Sequence, residues 1–504
     1  MATETAAAAA QQVPQDRLAK GALSLPDAIA ISVSVIAPGM AAFLNVPGVA
    51  AQAGGSTPLA FLLGGIGCLA LAFVVIGFTR RMASAGYAYT YASRSLGKPA
   101  GFMAGWLYAF GLACFVPMTM AGVSYLFCDL AGLGSTWNFP VFLIGMALLV
   151  LLSVVRIKVT TRLQLLVGFV TIAVIVAVSL ITIAKGGANG NSGAPFTFSH
   201  TVAGGFHGVF YGIIFAVTSF IGFETAADFG EETRRPRRNI PIAVIAATTF
   251  AILFYLLATY AMSIGIGVNR SSLYGSGANI LLKTIADQYV ATWVGTLTEV
   301  GAMLAAFIVC VACATASTRT LYAMGREGVL PRWLGHTHRT FKTPANATIV
   351  VAATAIGMAC ISWFGWTNEL GNTPLTTYYF WATLGTLPVV VVYIMICLGG
   401  ISFFRRTHRG WNPLVHVGVP LLGAVVFGAA LYGSVYPVPP HPLNYTPYIT
   451  LAWIVLGLVA VLVLRKRNPA AVERIGSILG EEGGEDAAQL DEPTALGKAA
   501  PIAP

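Results

Sequence analysis

Long apolar runs dominate this chain, and short polar segments separate them. A helix needs about 20 apolar residues to cross a bilayer, and runs of that length recur from residue 27 to residue 465. Glycine, proline and charged residues gather between the runs, where loops are expected. The pattern predicts twelve transmembrane helices: 27–50, 58–79, 100–128, 138–156, 163–184, 206–230, 241–266, 290–320, 345–364, 376–400, 413–436 and 447–465.

The basic residues orient these helices. Cytoplasmic loops of membrane proteins carry an excess of Lys and Arg. If both termini are cytoplasmic, 26 of the 29 Lys and Arg fall on the cytoplasmic side, and only Lys185, Arg270 and Lys283 fall outside. A wrong number of spans would move whole basic clusters to the other face. The sequence therefore predicts a multi-pass protein of the cell membrane with cytoplasmic N- and C-termini.

Composition agrees and narrows the expected partners. The chain is 56% hydrophobic and 10% charged, whereas a soluble domain carries roughly a quarter charged residues. The net charge of +10 lies in loops, so nucleic acid is not expected as a partner. We expect a small-molecule substrate, the lipid bilayer, and a monomer or homodimer. No cofactor or metal is expected, because the C-x-x-C of Cys310 and Cys313 lies inside an apolar run, where packing is favoured.

Two of the apolar runs are interrupted at bilayer depth. The first, "AISVSVIAPGMAAFLNVPG", places Pro38 and Gly39 near its middle, and proline removes a backbone donor and breaks the helix. The sixth has a matching interruption at "FIGFE", from Phe220 to Glu224, five spans later. Paired interruptions in corresponding positions of two halves indicate the binding site of a secondary transporter.

Four stretches carry a resemblance to a known family. They are "SVIAPGMA", "RRMASAGYAYTYASRSLGKPAGFMAGW", "FIGFETAADFGEETRRPRRNIPIA" and "STRTLYAMGREGVLPRWLG", which begin at Ser34, Arg80, Phe220 and Ser317. In order and spacing they resemble motifs of the amino acid–polyamine–organocation (APC) superfamily, in its bacterial amino acid permease branch.

The resemblance implies an all-α polytopic membrane protein with a five-plus-five inverted-repeat (LeuT-like) fold and two C-terminal helices. It also implies an amino acid transporter rather than an enzyme, working by alternating access. The predicted organisation is a disordered N-tail, a first repeat of spans one to five, a second repeat of spans six to ten, spans eleven and twelve, and a disordered C-tail: 1–24, 25–185, 186–400, 401–467 and 468–504.

The interruptions suggest how a substrate would be held. Free N–H groups at the start of the outer half of the first span suit a carboxylate, and free carbonyls before the break suit an ammonium group. Since Pro38 has no N–H, a carboxylate would depend on Gly39, Met40 and Ala41, which leaves an amine as an alternative substrate. The candidate substrate-binding residues are Val35, Ile36, Ala37, Pro38, Gly39, Met40, Phe220, Ile221, Gly222 and Phe223.

Two carboxylates follow the second interruption. Intramembrane ionisable residues are usually functional, so Glu224 and Asp228 are candidates for gating or proton coupling. For Glu224 a structural pin and a direct contact with a substrate ammonium are the alternatives. For Asp228, one turn further towards the cytoplasm, the alternative is a salt bridge to a basic loop residue.

The coupling ion, a proton or sodium, is left open. Some members of the family that the chain resembles carry a lysine in the fifth span where this chain has Thr171, and the lysine stands in for a sodium ion. Hydroxyls in the eighth span could form a sodium site, and proton symport or amino acid exchange are the alternatives. The candidate sodium ligands are Thr315, Ser317 and Thr318.

Aromatic residues in and before the third span have two expected roles. Trp106, Tyr108 and Phe110 lie within the span, and one of them is expected to line the pocket. The alternating tyrosines Tyr87, Tyr89 and Tyr91 precede the span in a cytoplasmic loop and are expected to anchor the membrane interface.

Other classes of membrane protein would carry different motifs. A major-facilitator transporter would have a D-R-x-G-R-R-like loop after the second span, but this chain has "TRRMASAGYAY" there. A membrane enzyme would need a constellation such as H-E-x-x-H or G-x-S-x-G. A nutrient receptor or channel that does not transport stays an alternative, because a fold does not determine a function.

Overall fold

The computed structural model describes most of the membrane part of the chain. The described ranges are 23–82, 87–155, 161–202, 204–229, 233–270, 281–326, 331–338, 343–365, 374–407 and 411–467. Within these ranges the secondary structure is helical, apart from turns and one isolated parallel β-bridge between Leu23 and Thr233. Both predicted tails fall almost wholly outside the described residues.

Fifteen α-helices are numbered here in chain order over the described ranges. They are α1 (Leu25–Ile36), α2 (Pro38–Ala53), α3 (Thr57–Thr79), α4 (Tyr87–Leu96), α5 (Lys98–Leu130), α6 (Asn138–Val155), α7 (Thr161–Ala184), α8 (Gly205–Phe220), α9 (Pro236–Ile266), α10 (Leu281–Tyr289), α11 (Thr292–Arg326), α12 (Ala345–Phe364), α13 (Pro374–Thr407), α14 (Val419–Gly433) and α15 (Thr446–Arg467).

Helical residues occupy each of the twelve predicted apolar runs. By length and composition, ten helical stretches in the described ranges can cross a membrane. The first of them, Leu25–Thr79, contains two predicted spans, and the sixth predicted span is represented by the shorter apolar helix α8. The chain is thus a multi-pass, all-helical membrane protein, while the count of twelve, the inverted repeat and the domain division stay predictions.

The helices separate into a buried centre and a lipid-facing rim. In α2, 14 of 16 residues are buried, and α8 is buried to a similar degree. A helix that is covered on all sides belongs to the core of the assembly. On the rim, apolar side chains stay exposed on α6, α7 and α15, for example Ile144 at 68%, Phe169 at 72% and Leu462 at 59%. These faces suit the hydrocarbon of a bilayer.

A buried polar cluster ties the two central helices together. The Asn45 side-chain amide on α2 donates to Ser219 Oγ on α8 at 3.0 Å, and the Tyr378 hydroxyl on α13 donates to Asn45 Oδ1 at 2.6 Å. The Tyr255 hydroxyl on α9 donates to the Ser219 carbonyl at 2.9 Å. Interhelical hydrogen bonds in a membrane contribute about 0.6 kcal/mol each on average, and here they fix the relative positions of four helices.

Helix α14 supports α8 from behind by a close backbone approach. A Cβ atom on Gly433 would lie 2.6 Å from both the Phe210 carbonyl carbon and the Tyr211 nitrogen of α8. Real Cβ atoms do not approach backbone so closely, so α8 would have to shift. By contrast, a Cβ on Gly428, five residues earlier on α14, would meet nothing within 4 Å.

We therefore expect Gly433→Ala to destabilise the fold and Gly428→Ala to be tolerated. Overpacking costs about 1–3 kcal/mol, whereas alanine is a better helix former than glycine by about 1 kcal/mol. Thermal unfolding of the two variants in the same detergent measures the difference. Equal melting temperatures for the two variants would contradict the α8–α14 contact.

Candidate functional site

The first interruption is a sharp break between α1 and α2. Helix α1 ends at Ile36, and Ala37 takes a left-handed conformation with φ 46° and ψ 63° before α2 begins at Pro38. Proline disfavours the helical conformation in the residue before it, and a left-handed alanine costs about 1–2 kcal/mol. The break lies where the sequence indicates it, directly before Pro38.

The break leaves backbone donors without helical acceptors. The N–H groups of Gly39 and Met40 have no hydrogen-bond partner among the residues that the structure describes. Both residues are buried, and buried donors in folded proteins are almost always paired. The Ala41 N–H, which the sequence analysis also counted as available, instead donates to the Ala37 carbonyl at 3.1 Å. The break therefore leaves two N–H groups without a partner in the described ranges, those of Gly39 and Met40, and not three.

The second interruption separates α8 from a 3₁₀ turn. Helix α8 ends at Phe220, residues 221–224 form a turn, and Thr225–Phe229 is a 3₁₀ helix. The Phe220 carbonyl accepts the Phe223 N–H at 3.2 Å, so one of its two acceptor positions is already used. The Ile221 carbonyl has no backbone partner within the described ranges.

The two interruptions touch each other. Gly222 has φ of 114°, and a Cβ on it would lie 2.6 Å from Val35 Cγ1 and 3.0 Å from the Ile36 nitrogen. Both the conformation and the space require glycine. The end of α1 and the turn after α8 therefore form one compact unit, and the candidate residues of both interruptions lie together.

The 3₁₀ turn after the second interruption also packs on α1. The Ala226 N–H donates to Ser32 Oγ at 3.1 Å, and both residues are buried. Asp228 lies in this turn, but its side chain falls outside the described residues, so its predicted gating role stays a prediction.

Glu224 is a buried acceptor that joins three parts of the fold. Its side chain is 0% exposed. Oε1 accepts the Tyr393 hydroxyl of α13 at 2.6 Å and lies 3.3 Å from the Tyr108 hydroxyl of α5. Oε2 accepts the Gly222 N–H at 3.0 Å. Both carboxyl oxygens of Glu224 therefore accept hydrogen bonds from within the fold.

The third-span aromatics divide between this site and the rim. Tyr108 reaches Glu224, whereas the rings of Trp106 and Phe110 stack on Trp453 of α15 with centroids 4.6 and 4.3 Å away. The predicted interfacial role is wrong for Tyr87 and Tyr91, because Tyr87 is 1% exposed and packs on the Tyr108 ring. Tyr91 is buried as well. These rings form a wall behind Tyr108.

Thr171 of the fifth span lies directly against the start of α2. A Cβ on Gly39 would lie 2.7 Å from Thr171 Cγ2, and a Cβ on Gly301 of α11 would collide with Thr171 Oγ1. The Thr171 hydroxyl donates to the Val167 carbonyl of its own helix at 2.8 Å. The position that carries a lysine in some members of the resembled family is thus filled by a threonine between two glycines.

The predicted sodium ligands are not equivalent. The Thr315 side chain is exposed and donates to the Val311 carbonyl at 2.7 Å, so it does not help to enclose a cation. Ser317 and Thr318 are buried. They follow Ala302, where α11 contacts the start of α2, by about 22 Å of helix. A sodium site on α11 stays a prediction.

Two buried polar residues, Tyr393 and Glu299, are not among the site residues that the sequence predicts. A single tyrosine such as Tyr393 in an apolar run cannot be distinguished from a packing residue. Glu299 in the eighth span could have been found, because it is an intramembrane carboxylate like Glu224 and the same rule applies. It is 0% exposed.

Comparison with known proteins gives one family and several distant relatives. The family described as amino acid permease matches residues 23–461. The chain is 24% identical to the methylthioribose transporter of Bacillus subtilis (strain 168) over 83% of this chain and 88% of that protein. It is equally similar to the branched-chain amino acid permease of the same strain, with the same coverage. It is 28% identical to the low-affinity putrescine importer of Escherichia coli (strain K12) over 82% of this chain and 88% of that protein.

The Glu224 contacts predict unequal effects of removing its two hydroxyl donors. Loss of a hydrogen bond to a buried charge costs about 1–3 kcal/mol. Because the Tyr393 bond is shorter and fully buried, we expect Tyr393→Phe to lower the unfolding temperature clearly and Tyr108→Phe to lower it little. Thermal unfolding of both variants in detergent decides this, and a larger effect of Tyr108→Phe would contradict the described geometry.

Proposed function

Because the chain belongs to the amino acid permease family, we propose that it is a secondary active transporter that carries amino acids across the cytoplasmic membrane by alternating access. The substrate binds where the two helices are interrupted. The observation that carries this proposal is the pair of buried N–H groups of Gly39 and Met40 without a partner in the described ranges, next to the turn at Gly222.

The backbone of the two interruptions matches the two charged groups of an α-amino acid. The Gly39 and Met40 N–H groups lie at the N-terminus of α2, where N–H groups and the helix dipole favour an anion. They bind the substrate carboxylate. The carbonyls of Val35 and Ile36 at the end of α1, with that of Ile221, accept from the ammonium group. Since this recognition uses backbone only, the neighbouring side chains decide which amino acid is carried.

An amine permease and an amino acid exchanger are the alternatives within transport. Pro38 removes one donor that a carboxylate could use, which weakens the argument for an acid. One relative is named as an amino acid permease and another as a putrescine importer. Branched-chain amino acids and putrescine are therefore the two substrates to compare first.

Glu224 holds the inner half of the path closed in this proposal. It joins the turn after α8 to α5 and α13 through Tyr108 and Tyr393, and the 3₁₀ turn beside it covers α1. Opening towards the cytoplasm requires these contacts to break together. In this role Glu224 is a pin that accepts hydrogen bonds, and it does not carry the transported proton.

Counterflow in proteoliposomes tests the transport proposal. Vesicles loaded with unlabelled leucine should accumulate labelled leucine with saturation. Gly39→Ala should lower this uptake about tenfold or more, because overpacking against Thr171 displaces the start of α2. Adding Thr171→Ser removes the Cγ2 atom in the way and should restore uptake.

The outcomes of this assay separate the alternatives. Uptake of putrescine without leucine would favour the amine permease. Absence of counterflow with every amino acid and amine would overturn transport and leave the receptor or channel. A Gly39→Ala variant with unchanged uptake would contradict the position of the site.

Glu224→Gln tests the role of the buried carboxylate. Glutamine keeps an acceptor for Tyr393, but its amide nitrogen would oppose the Gly222 N–H. We expect slower counterflow and retained accumulation under an imposed proton gradient. Loss of proton-driven accumulation with intact counterflow would instead identify Glu224 as the proton carrier.

A further inference from the structure

A second cluster of charges lies at the opposite end of the path. Lys283 on α10 places Nζ 2.6 Å from Asp129 Oδ2 at the end of α5 and 2.7 Å from Glu299 Oε2 on α11. The distribution of basic residues predicts that this end is extracellular. Helix α10 lies in the connection between the seventh and eighth predicted spans. Through its two ion pairs, Lys283 attaches this connection to the end of the third predicted span (α5) and to the eighth (α11).

The cluster has one cation for two carboxylates. Glu299 is completely buried, whereas the side chains of Asp129 and Lys283 are 40% and 27% exposed. Neither Glu299 oxygen has a hydrogen-bond partner in the described part of the chain, although Oε2 lies within ion-pair distance of Lys283. A buried carboxylate without hydrogen bonds is costly. The Asp129 and Glu299 carboxylates are close neighbours, because both lie within 2.7 Å of the same Lys283 Nζ, and two like charges at such a distance favour the binding of a proton.

Lys283 itself keeps its charge. Burial alone would lower the pKa of Lys283, but its hydrogen bond to Asp129 and its ion pair with the Glu299 carboxylate outweigh this and raise the pKa above its usual range. The group that gains or loses a proton near neutral pH is therefore not the lysine. Two carboxylates that share a site do not both ionise readily, so the proton belongs to the pair.

Among the described residues, Lys283 is the only cation that acts on the Asp129 and Glu299 carboxyls. Asp287 on α10 is exposed and lies against Gly295 of α11, and Tyr125 on α5 lies near both carboxylates with Tyr379 of α13 beyond it. Helices α2, α6 and α7 have no titratable side chain among the described residues that pack here, and α12 has only Cys360. Lys185, beyond the end of α7, donates to the Tyr289 carbonyl at 2.6 Å.

This cluster lies close to the proposed substrate site. Two and three residues after Glu299, Gly301 contacts Thr171, and the Ala302 Cα lies 4.0 Å from the position of a Cβ on Gly39. One helical turn, about 5 Å, therefore separates Glu299 from the contact between α11 and the start of α2. A change of charge at Glu299 acts next to the outer half of the broken helix.

We propose that Asp129 and Glu299 bind one proton between them, and that Lys283 latches α10 over this pair while the proton is absent. Without the proton, two negative carboxylates hold the ammonium group. A proton from extracellular water bonds to one carboxylate, and its O–H donates to the other. The cluster becomes neutral, the lysine keeps one counter-charge instead of two, and α10 opens more easily. This deepens the transport proposal, on which its place in a transport cycle rests.

Hydrogen exchange of α10 tests the latch without any substrate. The full-length protein in lipid nanodiscs is compared at about pH 5.5 and about pH 7.5, with exchange corrected for the intrinsic amide rates. In the wild type we expect the protection of residues 281–289 to be about tenfold lower at the acid pH. Glu299→Gln should give low protection at both values. Asp287→Asn, the same type of change on an exposed neighbour, should behave as the wild type.

The results separate this proposal from the transport proposal. Protection that is independent of pH in the wild type, or unchanged in Glu299→Gln, overturns the proton pair. If the Glu299→Gln variant does not fold, the exchange experiment uses Asp129→Asn instead, because Asp129 is the exposed member of the Asp129–Glu299 pair. In leucine counterflow with equal pH on both sides, the wild type should be faster in acid and Glu299→Gln should lose this dependence. Absence of counterflow in every variant overturns transport, whereas the exchange data still decide the latch.

Discussion

A helix that breaks in the middle of a membrane exposes N–H and C=O groups that hydrocarbon cannot satisfy, and this constraint organises the fold. Both interrupted helices lie in the centre, where α2 and α8 are almost wholly covered. The two breaks are pressed together at Gly222, so that each supplies part of the other's surroundings. Polar side chains such as Asn45 then fix these short helices to their neighbours. Helices with uninterrupted backbone form the lipid-facing rim.

The two buried carboxylates show how surroundings assign different roles to one functional group. Glu224 has three hydrogen-bond donors and no cation in the described ranges, so both of its oxygens are paired within the fold. Glu299 has a cation on one side and a second carboxylate on the other, without a hydrogen-bond donor. Two carboxyl groups with such different neighbours differ in how readily they bind a proton. The first suits a fastening made of hydrogen bonds and the second a group that exchanges protons.

The sequence correctly predicts an all-helical, multi-pass protein with a break before Pro38, because this proline and the lengths of the apolar runs act locally. It also places the interruptions within one residue. Features that depend on contacts between distant parts of the chain are less accessible. The use of the Ala41 N–H within α2, the partnership of Tyr393 with Glu224 and the burial of Tyr87 all follow from packing. Glu299 is different, because it is an intramembrane carboxylate like Glu224 and the same rule identifies both from the sequence.

Thr171 packs tightly between Gly39 and Gly301, and a Cβ atom on either glycine would collide with its side chain. A methyl group on either glycine would displace Thr171 or the helix that carries the glycine. The three positions, which lie on three different helices, therefore constrain one another, and a larger residue at position 39 or 301 requires a smaller one at position 171. Changes at this contact are expected to be tolerated as matched pairs of substitutions and not one at a time.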